Sequence, residues 1–322
     1  MTTTKLRLGL ACLVLLLGNA ACNRNTKLRI AVIPKGLTHI FWQSVHAGAA
    51  KAGQELGVEI IWNGPASEND LSNQIGIVEN FIAQHVDGIA LAPAHGEALV
   101  PIVEKAAEAK IPVSIFDSGI KSDKYVSYVS TDNYKGGAMA AARMAEILPK
   151  GGKIAIVATA PGGVSTMERE AGFKETLAKN SPHLVVVAMQ YGMSDRAKSL
   201  AVAEDILTAN PDIAGIFCSN ESGSIGAVQG AKSHNLAGKV KIVGFDSSPT
   251  LLEDMQAGNL DALIVQNPFH MGFMVVQTLV DQLHGKTPEK RIDTGATLVT
   301  AANLKDQAVQ DLLNPPIQKY LK

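Results

Sequence analysis

Short continuous runs of apolar residues alternate along the chain with longer stretches in which apolar residues recur at helical spacing. Most of the short runs are apolar throughout, which is typical of strands covered on both faces in a parallel sheet. The runs have five or six residues each and span 28–33, 58–62, 88–92, 112–116, 125–130, 153–158, 184–189, 213–218, 240–245 and 262–266.

The stretches between these runs are rich in Ala, Glu, Lys and Leu and have the length of helices. The first, 42–56, is followed by Gly57, a residue type typical of the position just after a helix end. Repeated strand–helix–strand order predicts right-handed crossovers and doubly wound sheets. Ten strands are too many for one compact sheet of this kind. We therefore predict an α/β fold with two doubly wound parallel-sheet lobes of about five strands each.

Polar and aromatic residues follow the carboxyl ends of these predicted strands. In open parallel sheets, ligands bind beyond those ends. Two lobes that face each other would therefore share a polar and aromatic cleft. The segments that the pattern places there are 34–42, 92–95, 117–119, 159–169, 190–194, 219–222, 246–249 and 266–268. They include Lys35, His39, Phe41, Trp42, Asp117, Arg169, Asn220, Asp246 and Gln266.

Composition agrees with two folded domains and argues against nucleic acid as a partner. The chain has 322 residues, of which 46% are hydrophobic and 18% charged, so it can build buried cores and is not a disordered chain. Lys and Arg number 29 against 30 Asp and Glu, which gives a formal charge of -1. A near-neutral chain is not expected to bind nucleic acid, because phosphate recognition requires a basic face.

The first residues have the pattern of an export signal. Lys5 and Arg7 precede an apolar run and the small residues 19–21, and the run is too short to span a bilayer. We predict a signal peptide over 1–21. Cys22 then resembles the lipidated cysteine of a bacterial lipobox, with 22–27 as a linker to the anchor. Asn19 stands where Leu is usual, so cleavage near Ala21 with a free periplasmic product is the alternative.

No enzyme or metal signature is present in the sequence. The chain has no G-x-S-x-G, H-E-x-x-H or P-loop pattern, and its eight histidines lack metal-ligand spacing. Cys218 has no cysteine partner in the folded part and lies in an apolar run, so we expect it to be buried and structural. We expect no catalysis, cofactor or metal. A glycosidase using Asp117 and Asp246 as its carboxylate pair is the enzymatic alternative.

Several ordered motifs resemble the type I periplasmic solute-binding proteins of the ribose-binding-protein-like sugar group. They are IAVIPKG followed by FW, DGIALAP, IPVSIFDSG, VSTDNYKGG, EREAGF, FCSNE, VGFDSSP and VQNP, and the resemblance covers nearly all of 28–300. It implies two lobes joined by a three-segment hinge at 130–132, 265–267 and 293–295. The N-terminal lobe would hold 28–130 and 267–293, and the C-terminal lobe 132–265 and 295–322.

The resemblance also assigns roles in sugar binding. Phe41 and Trp42 match the aromatic pair that sandwiches the sugar ring, and the polar contacts match Asp117, Arg169, Asn220, Asp246 and Gln266. Aromatic rings suit the apolar faces of a sugar, and charged or amide groups suit its hydroxyls. Each residue also has a purely structural alternative. Asp117, Asp246 and Asn220 could be caps, Arg169 a surface ion-pair partner, Phe41 and Trp42 core residues, and Gln266, His39 and Lys35 hinge or loop residues.

The sequence departs from the ribose type at several of these positions. His39 and Ala92 stand where Asn is usual, and Ser118 where Arg is usual. Lys35 is similar to the autoinducer-2-binding branch, but Thr166 and Met167 occupy the place of that branch's Asp–Gln pair. We therefore expect a sugar or polyol other than ribose.

The implied function is that of the extracytoplasmic receptor of an ABC-type sugar importer. The protein would close its lobes around a monosaccharide or polyol and, as a monomer, present the closed form to an inner-membrane permease. A periplasmic sugar or autoinducer-2 sensor that presents its closed form to a signalling receptor is the alternative. The effector domain of a LacI-type repressor shares the fold, but the export signal and the lack of a helix-turn-helix before residue 28 disfavour it.

Overall fold

The structure, a computed structural model, describes residues 27–321. Twelve strands lie in that range: β1 Arg29–Ile33, β2 Glu59–Trp62, β3 Gly88–Leu91, β4 Val113–Phe116, β5 Tyr128–Ser130, β6 Gly152–Ala158, β7 Leu184–Tyr191, β8 Ile213–Cys218, β9 Lys241–Phe245, β10 Ala262–Gln266, β11 Arg291–Asp293 and β12 Ala296–Val299. The helices between and after them are α1 Ile40–Leu56, α2 Leu71–Ala83, α3 Val100–Glu108, α4 Asn133–Ile147, α5 Val164–Asn180, α6 Arg196–Ala209, α7 Glu221–Ser233, α8 Pro249–Gln256, α9 Pro268–Leu283, α10 Gln307–Leu313 and α11 Ile317–Tyr320.

The strands form two six-stranded sheets, which confirms the predicted pair of α/β lobes. The first sheet has the order β11-β5-β4-β3-β1-β2 and the second β12-β10-β9-β8-β6-β7. Neighbouring strands are parallel except at one edge, where β12 runs antiparallel to β10. Each sheet has one strand more than expected, because β11 and β12 are short and only partly buried and so lack a continuous apolar run.

Each sheet is covered on both faces, as the continuous apolar runs predict. Successive side chains of a strand point to opposite faces. In β1, Ile30 and Val32 belong to one buried cluster, while Ala31 and Ile33 belong to another. In the second sheet, Ile154 and Ile156 lie in one cluster, and Ala155 and Val157, which alternate with them along β6, lie in another. The helices therefore form a layer on either side of each sheet.

Helix pairs in both lobes pack through reciprocal glycines. A Cβ on Gly48 of α1 would lie 1.9 Å from the carbonyl oxygen of Phe269, and one on Gly272 of α9 would lie 2.0 Å from that of Val45. The second lobe repeats this arrangement between α4 and α5, where a Cβ on Gly137 would lie 2.0 Å from the carbonyl oxygen of Arg169 and one on Gly172 would lie 2.1 Å from that of Tyr134. Only glycine permits such close backbone approach.

The chain passes from one sheet to the other at three places. These lie between β5 and α4, between β10 and α9, and between β11 and β12. The Asp293 carboxylate accepts hydrogen bonds from the backbone N–H groups of Asp132 at 3.0 Å and Gly295 at 2.8 Å, so it ties the first passage to the third.

The end of the chain crosses the lobe boundary once more. Val309 of α10 is buried in a cluster of the second lobe. In α11, however, the ring of Tyr320 lies 5.8 Å from that of Phe269 in α9, and α11 packs against α1 of the first lobe. The predicted bounds assign all of 295–322 to the second lobe, and the last helix of this segment contacts the first lobe, where Tyr320 meets apolar surface.

Cys218 is free and buried in the second lobe, as predicted. Burial raises the pKa of its thiol above the usual value. The predicted signal peptide 1–21, the lipidation residue Cys22 and most of the linker lie outside the described residues.

No helix between residues 27 and 321 is both long enough and apolar enough to cross a membrane.

Candidate ligand-binding cleft

One cleft lies between the carboxyl ends of the two sheets, and it encloses about 600 Å³ including the space open to solvent at its mouth. The structure brings all the residues singled out from the strand ends to its walls. Those from the first lobe are Lys35, His39, Phe41, Trp42 and Asp117, and those from the second lobe are Arg169, Asn220, Asp246 and Gln266.

Lys35 and Asp117 form a buried ion pair on the wall of the first lobe. Lys35 follows β1 and Asp117 follows β4, and the Lys35 ammonium lies 2.7 Å from Asp117 Oδ2. Both side chains are less than a tenth exposed. The same ammonium donates a hydrogen bond of 3.0 Å to the hydroxyl of Ser165 in the second lobe. Lys35 thus bridges the two lobes as well as neutralising a buried carboxylate.

Arg169 is fixed inside the second lobe. Its Nε donates to Asn133 Oδ1 and its Nη1 to the carbonyl oxygen of Ser219, both at 2.9 Å. Its guanidinium lies 4.0 Å from the ring centroid of Phe245, a cation–π contact. Because only 2% of Arg169 is exposed, the alternative of a surface ion pair with a neighbouring glutamate is wrong.

Asp246 and Gln266 present a coupled carboxylate and amide. Gln266 Nε2 donates to Asp246 Oδ1 at 2.7 Å, and the other carboxylate oxygen lies 3.8 Å from the Arg169 guanidinium. Burial raises the pKa of the Asp246 carboxyl, an effect that Arg169 and the Gln266 amide offset only in part. Gln266 Oε1 is buried and has no hydrogen-bond partner among residues 27–321. Buried acceptors of this kind favour a ligand that donates hydrogen bonds.

Phe41 and Trp42 form one aromatic wall, not a sandwich. Their ring centroids are 4.9 Å apart and the planes meet at 89°. Rings in direct edge-to-face contact cannot lie on opposite faces of one sugar ring, so the sandwich predicted from this pair is wrong. Trp42 is also a core residue, since it is 3% exposed and its edge packs against Phe116. Its indole N–H donates to Glu68 Oε1 at 2.8 Å.

Asn220 has the capping role that we considered as its alternative. Its Oδ1 accepts from the backbone N–H of Gly223 at 2.9 Å and so caps α7. Its Nδ2 donates to the hydroxyl of Ser194 at 3.0 Å. The amide therefore fixes the start of α7 while lining the cleft.

Several lining residues escaped the sequence reasoning, although they join the lobes directly. The Ser194 hydroxyl donates to Glu68 Oε2 at 2.9 Å, and Asn69 Nδ2 donates to the carbonyl oxygen of Met193 at 2.6 Å. Glu68 and Asn69 lie well beyond the end of the edge strand β2, so the strand-end rule did not reach them. Met193 and Ser194 lie just after the edge strand β7, within a strand-end segment, but were not chosen as site residues. Glu221 directly follows Asn220, and that position was the available signal for it.

Two further contacts between the lobes are donated by backbone N–H groups. The N–H of Ser165 donates to Ser118 Oγ at 3.1 Å, and the N–H of Gly96 donates to the carbonyl oxygen of Gly162 at 3.0 Å. The lobes therefore touch on several sides of the cleft, which is the geometry of a closed two-lobe binding protein.

Charges of both signs are distributed around the cleft. Lys35 and Arg169 provide two cations, and the lining carboxylates are those of Glu68, Asp117, Glu221 and Asp246. Such a lining can donate to and accept from the same uncharged ligand, and it offers no excess of positive charge to an anionic one. Within 27–321, no group of three or more His, Cys, Asp or Glu side chains is placed to hold a metal ion.

Known proteins share this architecture. Residues 30–287 match the family described as periplasmic binding protein domain. The ribose import binding protein RbsB of Bacillus subtilis is 33% identical over 265 residues, covering 82% of this chain and 84% of that protein.

Two solved structures superpose over most of the chain. A carbohydrate transporter solute-binding protein of Agrobacterium radiobacter, in complex with D-arabinose, has a TM-score of 0.87 and 36% identity, covering 89% of this chain and 99% of that one. An ABC transporter solute-binding protein of Agrobacterium vitis with bound D-fucose has a TM-score of 0.86 and 38% identity, covering 89% of this chain and 100% of that one. With its two parallel-sheet lobes, its interlobe cleft and a family match over most of its length, the chain belongs to the periplasmic binding proteins.

Proposed function

We propose that this protein is the extracytoplasmic substrate-binding protein of an ABC sugar importer, and that it closes its two lobes around one monosaccharide or polyol. The relatives support a sugar as the ligand: the Bacillus protein is named for ribose import, and the Agrobacterium proteins hold D-arabinose and D-fucose. Because these are different sugars, the relatives define a class of ligand and not one compound.

The observation that carries the proposal is the convergence of Arg169, Asp246 and Gln266 opposite an aromatic wall. A sugar hydroxyl both donates and accepts, so it can donate to the Asp246 carboxylate or to the unpaired Gln266 Oε1 and accept from the guanidinium. Hydrogen bonds to charged groups contribute about 1.5–3 kcal/mol each. A few of them, less the cost of ordering, suffice for the roughly -8 kcal/mol of a micromolar site.

Binding of the sugar selects the closed state. Both lobes contribute cleft residues, so a ligand gains its full set of contacts only when the lobes meet, and it shifts the population towards closure. We place the hinge at 130–132, 265–267 and 293–295, between a lobe of 28–130 and 267–293 and a lobe of 132–265 and 295–322. The inner-membrane permease would recognise the closed monomer, held at the membrane by a lipid on Cys22.

Calorimetric titration tests the proposal. Pentoses, hexoses and polyols are titrated into the protein, and the best ligand is then titrated into Arg169→Ala and Lys153→Ala. Arg169 lines the cleft, so its loss should weaken binding by about 1.5–3 kcal/mol, or roughly tenfold or more. Lys153 forms an exposed ion pair with Asp212, and its loss should leave the affinity unchanged.

Two results would contradict the proposal. One is the absence of binding across the whole panel. The other is equal affinity of Arg169→Ala and Lys153→Ala, which would show that the ligand lies elsewhere. Incorporation of labelled fatty acid into the wild-type protein but not into Cys22→Ser tests the anchor separately.

A further inference from the structure

His39 lies at the boundary between the lobes, and both of its ring nitrogens face groups of the second lobe. Nδ1 lies 3.0 Å from Glu221 Oε2, and Nε2 lies 3.2 Å from the backbone carbonyl oxygen of Ser194. A carboxylate and a carbonyl oxygen can only accept hydrogen bonds. Each ring nitrogen must therefore carry a hydrogen, which makes the ring an imidazolium in this closed arrangement. His39 is 7% exposed, so water does not replace either partner.

The charges around the ring favour this protonated form. Glu221 stands at the start of α7, and Glu68, in the loop after β2, places its Oε1 4.0 Å from Nε2. Arg196 of α6 pairs with the other oxygen of Glu221 at 2.6 Å and so lies behind that carboxylate. Burial alone would lower the pKa of His39, but the hydrogen bond to Glu221 and the attraction of the two carboxylates outweigh it and raise the pKa to about 9.

Opening of the cleft removes these partners. Glu221 and Ser194 belong to the second lobe, so they move away from His39 when the lobes separate. The ring then meets water, and its pKa returns towards the ordinary value of about 6.5. Glu68 lies on the same lobe as His39 and faces the ring in both states.

We propose that His39 and Glu221, supported by Glu68 and Ser194, form a proton-dependent latch that holds the lobes closed, so that sugar binding takes up a proton. These are positioning residues, since they act on closure and not through the sugar. The inference rests on the proposed function, because sugar is what drives closure. Since the pKa is higher in the closed state, the affinity is greatest and constant below pH of about 6.5 and falls as the pH rises through about 9.

Proton uptake during calorimetric titration tests the latch. The sugar identified by the panel is titrated at pH 8 in phosphate and in Tris, two buffers that differ in ionisation enthalpy. The wild-type protein should take up close to one proton per sugar bound. Its dissociation constant should rise about tenfold or more between pH 7 and pH 9.

Variants assign the proton to this histidine. His39→Asn keeps a neutral amide at the position and should abolish both the uptake and the pH dependence. Glu221→Gln removes the charge of the partner, so it should reduce the uptake, and it serves if His39→Asn no longer binds. The matched control is His284→Gln, an exposed position that should keep the wild-type uptake.

The outcomes separate the two proposals. Sugar binding without proton uptake in the wild-type protein overturns the latch alone. Undiminished uptake in His39→Asn also overturns it, because another group would then carry the proton. Failure of every sugar to bind overturns the proposed function, and the latch fails with it.

Discussion

Two aspartates occupy corresponding places in the two lobes and share an unusual backbone conformation. Asp117 follows β4 and Asp246 follows β9, and their φ angles are 59° and 64°. Asp and Asn tolerate this left-handed region better than other residues with a Cβ, and backbone strain of this kind recurs at functional sites. Each lobe thus turns the end of a buried strand so that a carboxylate lines the cleft.

Replacement of Asp246 by Asn should raise the stability of the folded protein and weaken sugar binding. Because burial raises the pKa of Asp246, its ionised form destabilises the folded protein as the pH rises above the usual carboxyl value. Asp246→Asn removes that charge and keeps the backbone conformation. Unfolding in urea at pH 7 should show a gain of about 1 kcal/mol, a common size for stabilising changes.

Sugar affinity of the same variant should move in the opposite direction, because the amide accepts hydrogen bonds less strongly than the carboxylate. At acidic pH, where Asp246 is protonated, the free energy of unfolding of the wild-type protein should approach that of Asp246→Asn. The variant has no ionisable group at this position, so the position adds no pH dependence to its stability. A variant that is both less stable and unchanged in affinity would contradict the role of Asp246 in the cleft.

Residues at strand ends could be selected from the sequence, whereas their partners could not. The carboxyl ends of parallel strands meet at one edge, so a rule of chain order was enough to bring Lys35 and Asp246 to the same cleft. Glu68 lies well inside the loop between β2 and α2, and it meets Ser194 across 126 residues. That contact depends on how the lobes face each other. The perpendicular packing of Phe41 on Trp42 depends likewise on side-chain rotamers, which no spacing reveals.

At the level of elements, the helices that carry cleft residues are held by glycine contacts. Gly48 fixes α1, which begins just before Phe41 and Trp42, against α9, and Gly137 fixes α5, which carries Arg169, against α4. Rigid placement of such helices sets the position of the cleft side chains to within fractions of an ångström.

An alanine at Gly137 should therefore disturb the cleft from a distance. Its Cβ would lie 2.0 Å from the carbonyl oxygen of Arg169, so α4 and α5 must separate. Overpacking of this kind costs about 1–3 kcal/mol. Urea unfolding should show that loss, and calorimetry should show weaker sugar binding because Arg169 moves.

Gly76→Ala is the matched control for this change. Gly76 lies within α2, and a Cβ there would meet no atom within 4 Å. This alanine should leave sugar affinity unchanged and should be neutral or stabilising by up to about 1 kcal/mol. Equal effects of the two alanines would contradict the argument from helix contact.

Elements with strong apolar patterns could be predicted, and the weak ones could not. The runs 213–218 and 262–266 match β8 and β10 residue for residue. The strands β11 and β12 pair through their backbones at sheet edges and have few buried side chains, so hydrophobicity gives them no signal. Their pairing is set by the crossing of the chain between lobes, a property of the tertiary structure.

At the scale of the whole molecule, each lobe has its own hydrophobic cores, and the two lobes contact each other around the cleft. The buried clusters lie within single lobes. Around the cleft the lobes meet through polar contacts, such as those of Lys35 with Ser165 and of Ser118 with Ser165. Polar contacts exchange readily with water, which allows the lobes to part without exposing a hydrophobic core.

A bound sugar should therefore couple the unfolding of the two lobes. At a free concentration one hundred times the dissociation constant, the ligand adds about 2.7 kcal/mol to the free energy of unfolding. Calorimetric melting should show one transition that moves to higher temperature as sugar is added. Two transitions, of which only one moves, would show that the ligand contacts a single lobe.

The burial of Cys218 has a practical consequence for measuring the movement of the two lobes. Between residues 27 and 321 the sequence contains no other thiol, and Cys218 is fully shielded from solvent. Maleimide dyes should therefore react only at cysteines introduced on purpose, one on each lobe, in a version that begins after Cys22. Such a donor–acceptor pair would report single-molecule distances directly, and it would turn the receptor into a fluorescent reporter for its own sugar.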